Sequence, residues 1–344
     1  MAHLFLVIVC VCCVLISALS FQRASSLRRQ SSLKLNMVNN MPGSSSSEPK
    51  RSSDLANLNK VMTFGLFSSA TVMFNVLQSN ADAATPSGPI VIIGSGGKTG
   101  KLTIEMLSKM GIAVRPTNRE GKPNKAFANL ASVESMAAAD VTKIATLEGA
   151  LVGASAVIFA ASASGKGGNG KQVDNQGVVN VAAECIRLKV PKLVVISSGA
   201  VTKPNSLGFK LTNMFAGGIM DEKLAGENGL RKLYSECGDS SLSYAIIRPG
   251  GLQDGPSIGP ARVELNQGDT ISGEINRADV ADCAIAAALS KSIPSAVTFE
   301  LYDADNRGPL ESIYPDKSGY ERSGKELGGD YDLLFKGLKN GYIV

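Results

Sequence analysis

Pro89-Ile90-Val91-Ile92-Ile93-Gly94-Ser95-Gly96-Gly97-Lys98-Thr99-Gly100 is the stretch on which the reading of the whole chain turns. Four consecutive branched apolar residues predict a buried strand, and helical periodicity begins at Lys98 and runs to Lys109. Between them stands a glycine-rich turn. In this context backbone N–H groups and the positive end of a helix dipole can hold a phosphate. Gly94 permits a tight exit from the strand, Gly96 and Gly97 allow close approach to a pyrophosphate, and Gly100 lets the helix pack against the sheet. Ser95, Lys98 and Thr99 lie in the same turn and complete the candidate site. The Gly97-Lys98-Thr99 triplet does not make a nucleoside-triphosphate loop, because that spacing needs glycine where Ile92 stands. Shifting the register to Gly100-Lys101 fails as well, at Ser95 and at Leu102.

Outward from the turn, strands and helices alternate, which predicts a doubly wound parallel sheet covered by helices on both faces. After the first helix come strands at Ala113 to Thr117 and about Ala138 to Val141, then a short helix near Leu147 and the strand Ala156 to Ala160. A helix over Val173 to Leu188 precedes the strand Lys192 to Ile196; a helix over Asp221 to Cys237 precedes the strand Tyr244 to Ile247. A helix from Ala278 to Ser290 and a strand from Ala296 to Leu301 close the series. Residues 86–344 read as one α/β Rossmann domain. The second strand ends in Val114-Arg115-Pro116-Thr117-Asn118-Arg119, without the acid that would bind a ribose 2′-hydroxyl. Arg119 can instead pair with a 2′-phosphate and points to NADP(H). Glu120, beside it, keeps NAD(H) open.

Composition excludes several classes. Of 35 Lys and Arg, seven precede Thr85, against three of 30 acids, so the remainder carries 28 cations and 27 anions. A near-neutral domain lacks the cationic excess that nucleic-acid backbones require. The one histidine is His3, in a segment expected to be removed, which disfavours hydrolase triads. Cys185, Cys237 and Cys283 show neither zinc nor disulfide spacing and read as structural thiols.

Residues 1–20 read as a signal peptide: Leu4 to Leu19 is almost unbroken apolar, and Ala18 and Ser20 are the small residues a peptidase would read before Phe21. An N-terminal membrane anchor is the alternative. Residues 21–60 are rich in Ser and Arg with no acid before Glu48, the composition of a plastid transit peptide and also of a Ser-rich linker. Together they resemble the bipartite presequences of algae whose plastids lie inside additional membranes, which places the protein in the plastid. Residues 61–85 hold a second apolar segment, Val61 to Leu77, followed by Ala81-Asp82-Ala83. It fits a thylakoid-transfer signal, an anchor or an extension of the transit peptide, and membrane association is expected only if it is retained.

Further motifs occur in fixed order: Val173-Asp174-x-x-Gly177, Val194-x-x-Ser197-Ser198, Ile247-Arg248-Pro249-Gly250-Gly251-Leu252 and Ile275-x-Arg277-x-Asp279-Val280-Ala281. With the glycine turn they resemble the atypical short-chain dehydrogenase/reductases, the NAD(P)H-binding group that includes NmrA-like proteins. The resemblance implies that Asp140 and Val141 lie beside adenine, that Ala160, Ala161 and Ser162 border ribose and diphosphate, and that Pro249, Gly250, Gly251 and Leu252 form a loop near the nicotinamide. It also implies a serine after the fifth strand, Ser197 or Ser198, and a lysine at Lys223 with Gly226-Glu227. The family's tyrosine, four residues before the lysine, is replaced by Ile219, and Tyr234 lies too far along the helix. Two functions follow: an NADPH-dependent reductase or isomerase using Ser198 and Lys223 on a small organic substrate, or a non-catalytic NADP(H) sensor or assembly factor for a plastid protein partner. The glycines of 164–170 fit a flexible loop, 206–218 carries no catalytic pattern, and 302–320 read as a polar tail that could cover the site or meet a partner.

Overall fold

The computed structural model describes residues 87–163, 169–309 and 329–341. The presequence segments, the glycine-rich residues 164–168 and most of the polar tail lie outside them. β1 (Ile90–Ile93) leads through the glycine turn into α1 (Lys98–Lys109), followed by β2 (Val114–Asn118), β3 (Ala137–Ala138), α2 (Glu148–Leu151) and β4 (Ala156–Phe159). Next come α3 (Gly177–Arg187), β5 (Lys192–Ile196), α4 (Leu207–Phe215), α5 (Ile219–Glu236) and β6 (Ser243–Pro249). The remaining elements are β7 (Gly251–Gln253), β8 (Val263–Asn266), β9 (Ile271–Asn276), α6 (Arg277–Leu289), β10 (Ala296–Asp303), β11 (Arg307–Pro309) and α7 (Tyr331–Lys336).

Eight strands form one sheet in the order β3-β2-β1-β4-β5-β6-β10-β8, parallel throughout except where β8 runs against β10. Side chains alternate across it, as the period of a strand requires. Ile90 and Ile92 join Ile104, Leu107 and Val280 on one face; Val91 and Ile93 join Val157, Val181 and Leu230 on the other. Burial on both faces explains why these strands are unbroken apolar runs. Strand order reverses between β1 and β4, so the crevice at their carboxyl ends is where such sheets take a ligand.

The structure departs from the sequence reading in four places. The third strand is only Ala137–Ala138, and Asp140 and Val141 follow it as a turn. The helix before β5 opens with a π-helical segment, Lys171–Gln176. At its junction with α3, a Cβ on Gly177 would stand 2.7 Å from Val141 Cγ2. α4 was not legible. Neither was the small sheet β11-β9-β7, whose strand β7 is fully exposed and carries no alternating pattern. Among the described residues no helix is long and apolar enough to cross a membrane, and no cluster of ligands could hold a metal. Cys185 and Cys283 are buried, and burial drives both thiols upward, away from reactivity.

Candidate functional site

At the end of β1, Gly94 takes φ +86°, and a Cβ there would stand 2.6 Å from the Ala161 nitrogen. A Cβ on Gly100 would stand 2.4 Å from the Gly94 carbonyl oxygen. These two glycines are required by contact between backbones. Gly97 donates its N–H to Gly94 O at 3.0 Å and caps α1 without a side chain, so among the described residues no side-chain cap occupies the helix N-terminus. Gly96 is exposed, with no atom within 4 Å of where its Cβ would be. An open, uncapped cradle of this kind fits a dinucleotide diphosphate. Ser95 is buried and donates its hydroxyl to Thr117 O at 2.6 Å, so only its backbone faces the cradle side of the turn. Thr117 in turn donates to Ile92 O at 2.9 Å, which locks β1 to β2 beneath the turn. Thr99 is half-buried, and exposed Lys98 reaches Asp254 at 2.5 Å; Asp254 also accepts from Arg277.

At the tip of β2, the Asn118 side chain accepts the N–H groups of Glu120 and Lys122 and shapes the turn that exposes Arg119. Glu120 is engaged by Lys122, and its carboxyl is held low by that hydrogen bond and charge, with Arg119 adding to the effect. Asp140 accepts from Thr142 N and Oγ1 at 3.1 and 2.7 Å. Burial raises its pKa, but the Thr142 bonds and the charges of Lys143 and Arg119 outweigh it and hold the carboxyl below its ordinary range. Val141 is buried against Gly177, and its carbonyl accepts from Asn180.

After β4, Ala160 and Ala161 are half-buried beside Gly94, and Ser162 is exposed. Ala163 N–H donates to Asp174 Oδ2 at 2.8 Å, and the other oxygen of this buried carboxylate accepts from Lys223 Nζ at 2.7 Å. Lys223 is thus not a free cation.

The two serines after β5 are unlike. Ser197 is buried and donates to Glu227 Oε1 at 2.6 Å. Glu227 also accepts from Arg231 and from Arg248, which extends to Glu300 at 3.3 Å, so a buried ion cluster of Glu227 with two arginines underlies this edge and Glu300 borders it. For Glu227, burial acts upward and Arg248, Arg231 and Ser197 prevail, keeping it ionised. Ser198 is half-buried, and among the described residues its hydroxyl meets only the carbonyl of Gly199, at 3.2 Å. Ser197 N bonds Ile247 O and Gly199 N bonds Pro249 O, so the serine turn and the loop from buried Pro249 through Gly250 share one edge. A Cβ on Gly250 would stand 2.4 Å from Gly273 O and 2.6 Å from the Tyr302 ring, which fixes that loop; Gly251 and Leu252 beyond it are exposed.

Ile219, the first residue of α5, is buried with Val201, Phe209 and Met220. Tyr234 packs edge-on against Tyr244 with centroids 5.1 Å apart. Tyr244 is the second residue of β6, so Tyr234 lies by the amino end of that strand, whereas Ser198 follows the carboxyl end of β5. Sequence reading missed Glu300 and Asp254 and did not assign Arg248 its partners. One signal was available: an arginine inside the apolar strand Tyr244-Ala245-Ile246-Ile247-Arg248 demands buried carboxylates.

The model of the NAD(P)H-binding family matches residues 94–291, more than half of the chain and every element just described from the glycine turn to α6. An uncharacterised chloroplastic protein of Arabidopsis thaliana is 28% identical over 228 residues, 62% of this chain and 76% of the relative. The fold is shared with a Bacillus halodurans protein of the NAD-dependent epimerase/dehydratase type, at a TM-score of 0.52 and 21% identity, covering 67% of this chain and 99% of that one. The oxidoreductase ylbE of Lactococcus lactis has the same TM-score and identity, with 68% and 100% covered. A cradle built from Gly94 to Gly100 at the reversal point of a parallel sheet, together with a family match spanning it, means that the chain belongs to the NAD(P)H-binding family.

Proposed function

We propose that the protein is an NADPH-dependent reductase of a small conjugated acceptor such as a quinone or enone, acting in the plastid. The observation that carries this reading is the Ser198 hydroxyl, which no side chain of the described residues engages, at the carboxyl edge of β5. Its neighbour Ser197 is consumed by Glu227. The turn Gly94 to Gly100 would hold the diphosphate and Arg119 the 2′-phosphate. Asp140 and Val141 would flank adenine, Ala160 to Ser162 the ribose and diphosphate, and Pro249 to Leu252 the nicotinamide. Pairing of Glu120 with Lys122 supports NADPH over NADH, because that carboxylate is already engaged.

When bound, the reduced nicotinamide supplies hydride. Ser198 donates a hydrogen bond to the oxygen on which negative charge develops. Lys223 has two N–H donors left after Asp174, and they are assigned to the nicotinamide ribose. Ile219 can move no proton, so the product oxygen must spread its charge by conjugation or take a proton from water. Plastid residence is supported by the presequence composition and by the chloroplastic Arabidopsis relative.

NADPH oxidation against quinones, enones and simple ketones tests the reading. Turnover should be confined to conjugated acceptors, and Ser198→Ala should lower it by roughly 10²-fold, as expected when one oxyanion donor is lost. Tight cofactor binding without turnover of any acceptor would instead support the sensor reading, which the burial of Ile219 and the capture of Lys223 by Asp174 favour.

A further inference from the structure

α4 presents an apolar stripe to solvent. Leu207, Leu211 and Met214 are 71%, 43% and 67% exposed, and their spacing puts all three on one side of the helix. They make up three of the seven large exposed hydrophobic residues in the described chain, and two of them are the most exposed of all. The helix itself is firmly placed. Ser206 caps it by accepting Phe209 N–H, Phe209 is buried with Val201, Ile219 and Met220, and Asn213 ties its end to Met220 N and Asp221. An apolar face held outward this way has a partner to meet.

Charge identifies the partner. The 23 residues from Ser198 to Met220 contain Lys203 and Lys210 and no acid, and neither lysine forms an ion pair among the described residues. The first carboxylate beyond them, exposed Asp221, accepts from Asn213 and keeps its charge, and the Asp269 carboxylate that accepts from Ala200 N and Thr202 is buried, so two lysines face one exposed acid along this stretch. At nine residues α4 is about 14 Å long, and three side chains fall far short of the roughly 800 Å² per partner that a stable protein interface uses. A bilayer surface sets no such minimum, because apolar side chains and lysines add separately to binding.

We infer that α4 is a seat for an anionic lipid bilayer, with Leu207, Leu211 and Met214 entering the headgroup–acyl boundary and Lys203 and Lys210 pairing with lipid phosphates. This contact sits on the connection between Ser198 and Lys223, so it turns that edge of the sheet toward the membrane. Membrane seating needs neither cofactor nor turnover, so it stands or falls apart from the reductase reading.

The chain has no tryptophan, which permits a local test in the full-length protein. Met214→Trp and Leu207→Trp place an indole on the stripe, and Ile144→Trp places one at another exposed apolar position. Vesicles of phosphatidylglycerol and phosphatidylcholine with brominated acyl chains should quench the indole at 214 or 207 several-fold more than the one at 144. Lys203→Gln and Lys210→Gln should each weaken attachment by roughly fivefold, and high salt should do the same. Attachment that leaves the stripe indoles unquenched would overturn the inference by assigning binding to another segment. A concentration-dependent blue shift without vesicles would overturn it in favour of a second copy of the chain.

Discussion

Replacing Glu300 by glutamine should stabilise the protein, and more so as pH rises. Glu300 is fully buried and stands opposite Arg248 in the register of β10 and β6. One carboxylate oxygen lies 3.3 Å from Arg248 Nη1, and the other has no hydrogen-bond partner among the described residues. Burial and the nearby Asp269 charge push its pKa up from 4.5 to about 8, against the pull of Arg248 and of the Asp269 backbone N–H. The unfolded chain gives up this proton near 4.5, whereas the folded chain keeps it to about 8. Across that window the unfolded state binds fewer protons, so stability falls as pH rises and levels off above about 8. At 1.36 kcal/mol per pH unit the span corresponds to an upper bound of about 5 kcal/mol. Relaxation and water penetration reduce it, so about 2–4 kcal/mol is expected. Glutamine keeps the shape and cannot ionise. Urea unfolding of both proteins from about pH 5 to about pH 9 should give curves that diverge with pH. Parallel curves would refute the assignment of a protonated Glu300.

Other outcomes follow from the same geometry. Gly96→Val should fold normally, because its Cβ meets open space, yet lose cofactor affinity in a fluorescence titration, whereas Gly100→Ala should destabilise the fold by about 1–3 kcal/mol through overpacking against Gly94 O. Arg119→Ala should weaken NADPH binding about tenfold and leave NADH binding unchanged, measured by titrating both cofactors; equal effects would remove its role at the 2′-phosphate. Tyr234→Phe should not alter turnover and should leave stability level or slightly raised, since its buried hydroxyl has no partner. Glu227→Ala should cost about 3–5 kcal/mol in unfolding experiments, because Arg248 and Arg231 would then be buried without their shared carboxylate.

Local pattern alone determined the parallel sheet, its element order and the glycine cradle. Those features depend on signals that neighbours in sequence share: unbroken apolar runs in β1, β4 and β5, a 3.6-residue stripe in α1, and glycines at fixed offsets. α1 and β5 begin and end where their periodicity says. β7, β8 and β9 were not legible because they are short and are held by partners distant in the chain, and α4 was not because its apolar stripe faces solvent instead of the core. The chemistry at the site was decided in the same long-range way. Ser197 and Ser198 are adjacent and identical in type, and only a carboxylate on α5 distinguishes them, by accepting from one and leaving the other to the open edge. Lys223 is a plausible ribose ligand in sequence and half-committed to Asp174 in the fold, 49 residues away. Periodicity encodes which face of an element is buried. Which charge meets which inside the fold depends on how the elements stack, and that only the tertiary structure determines.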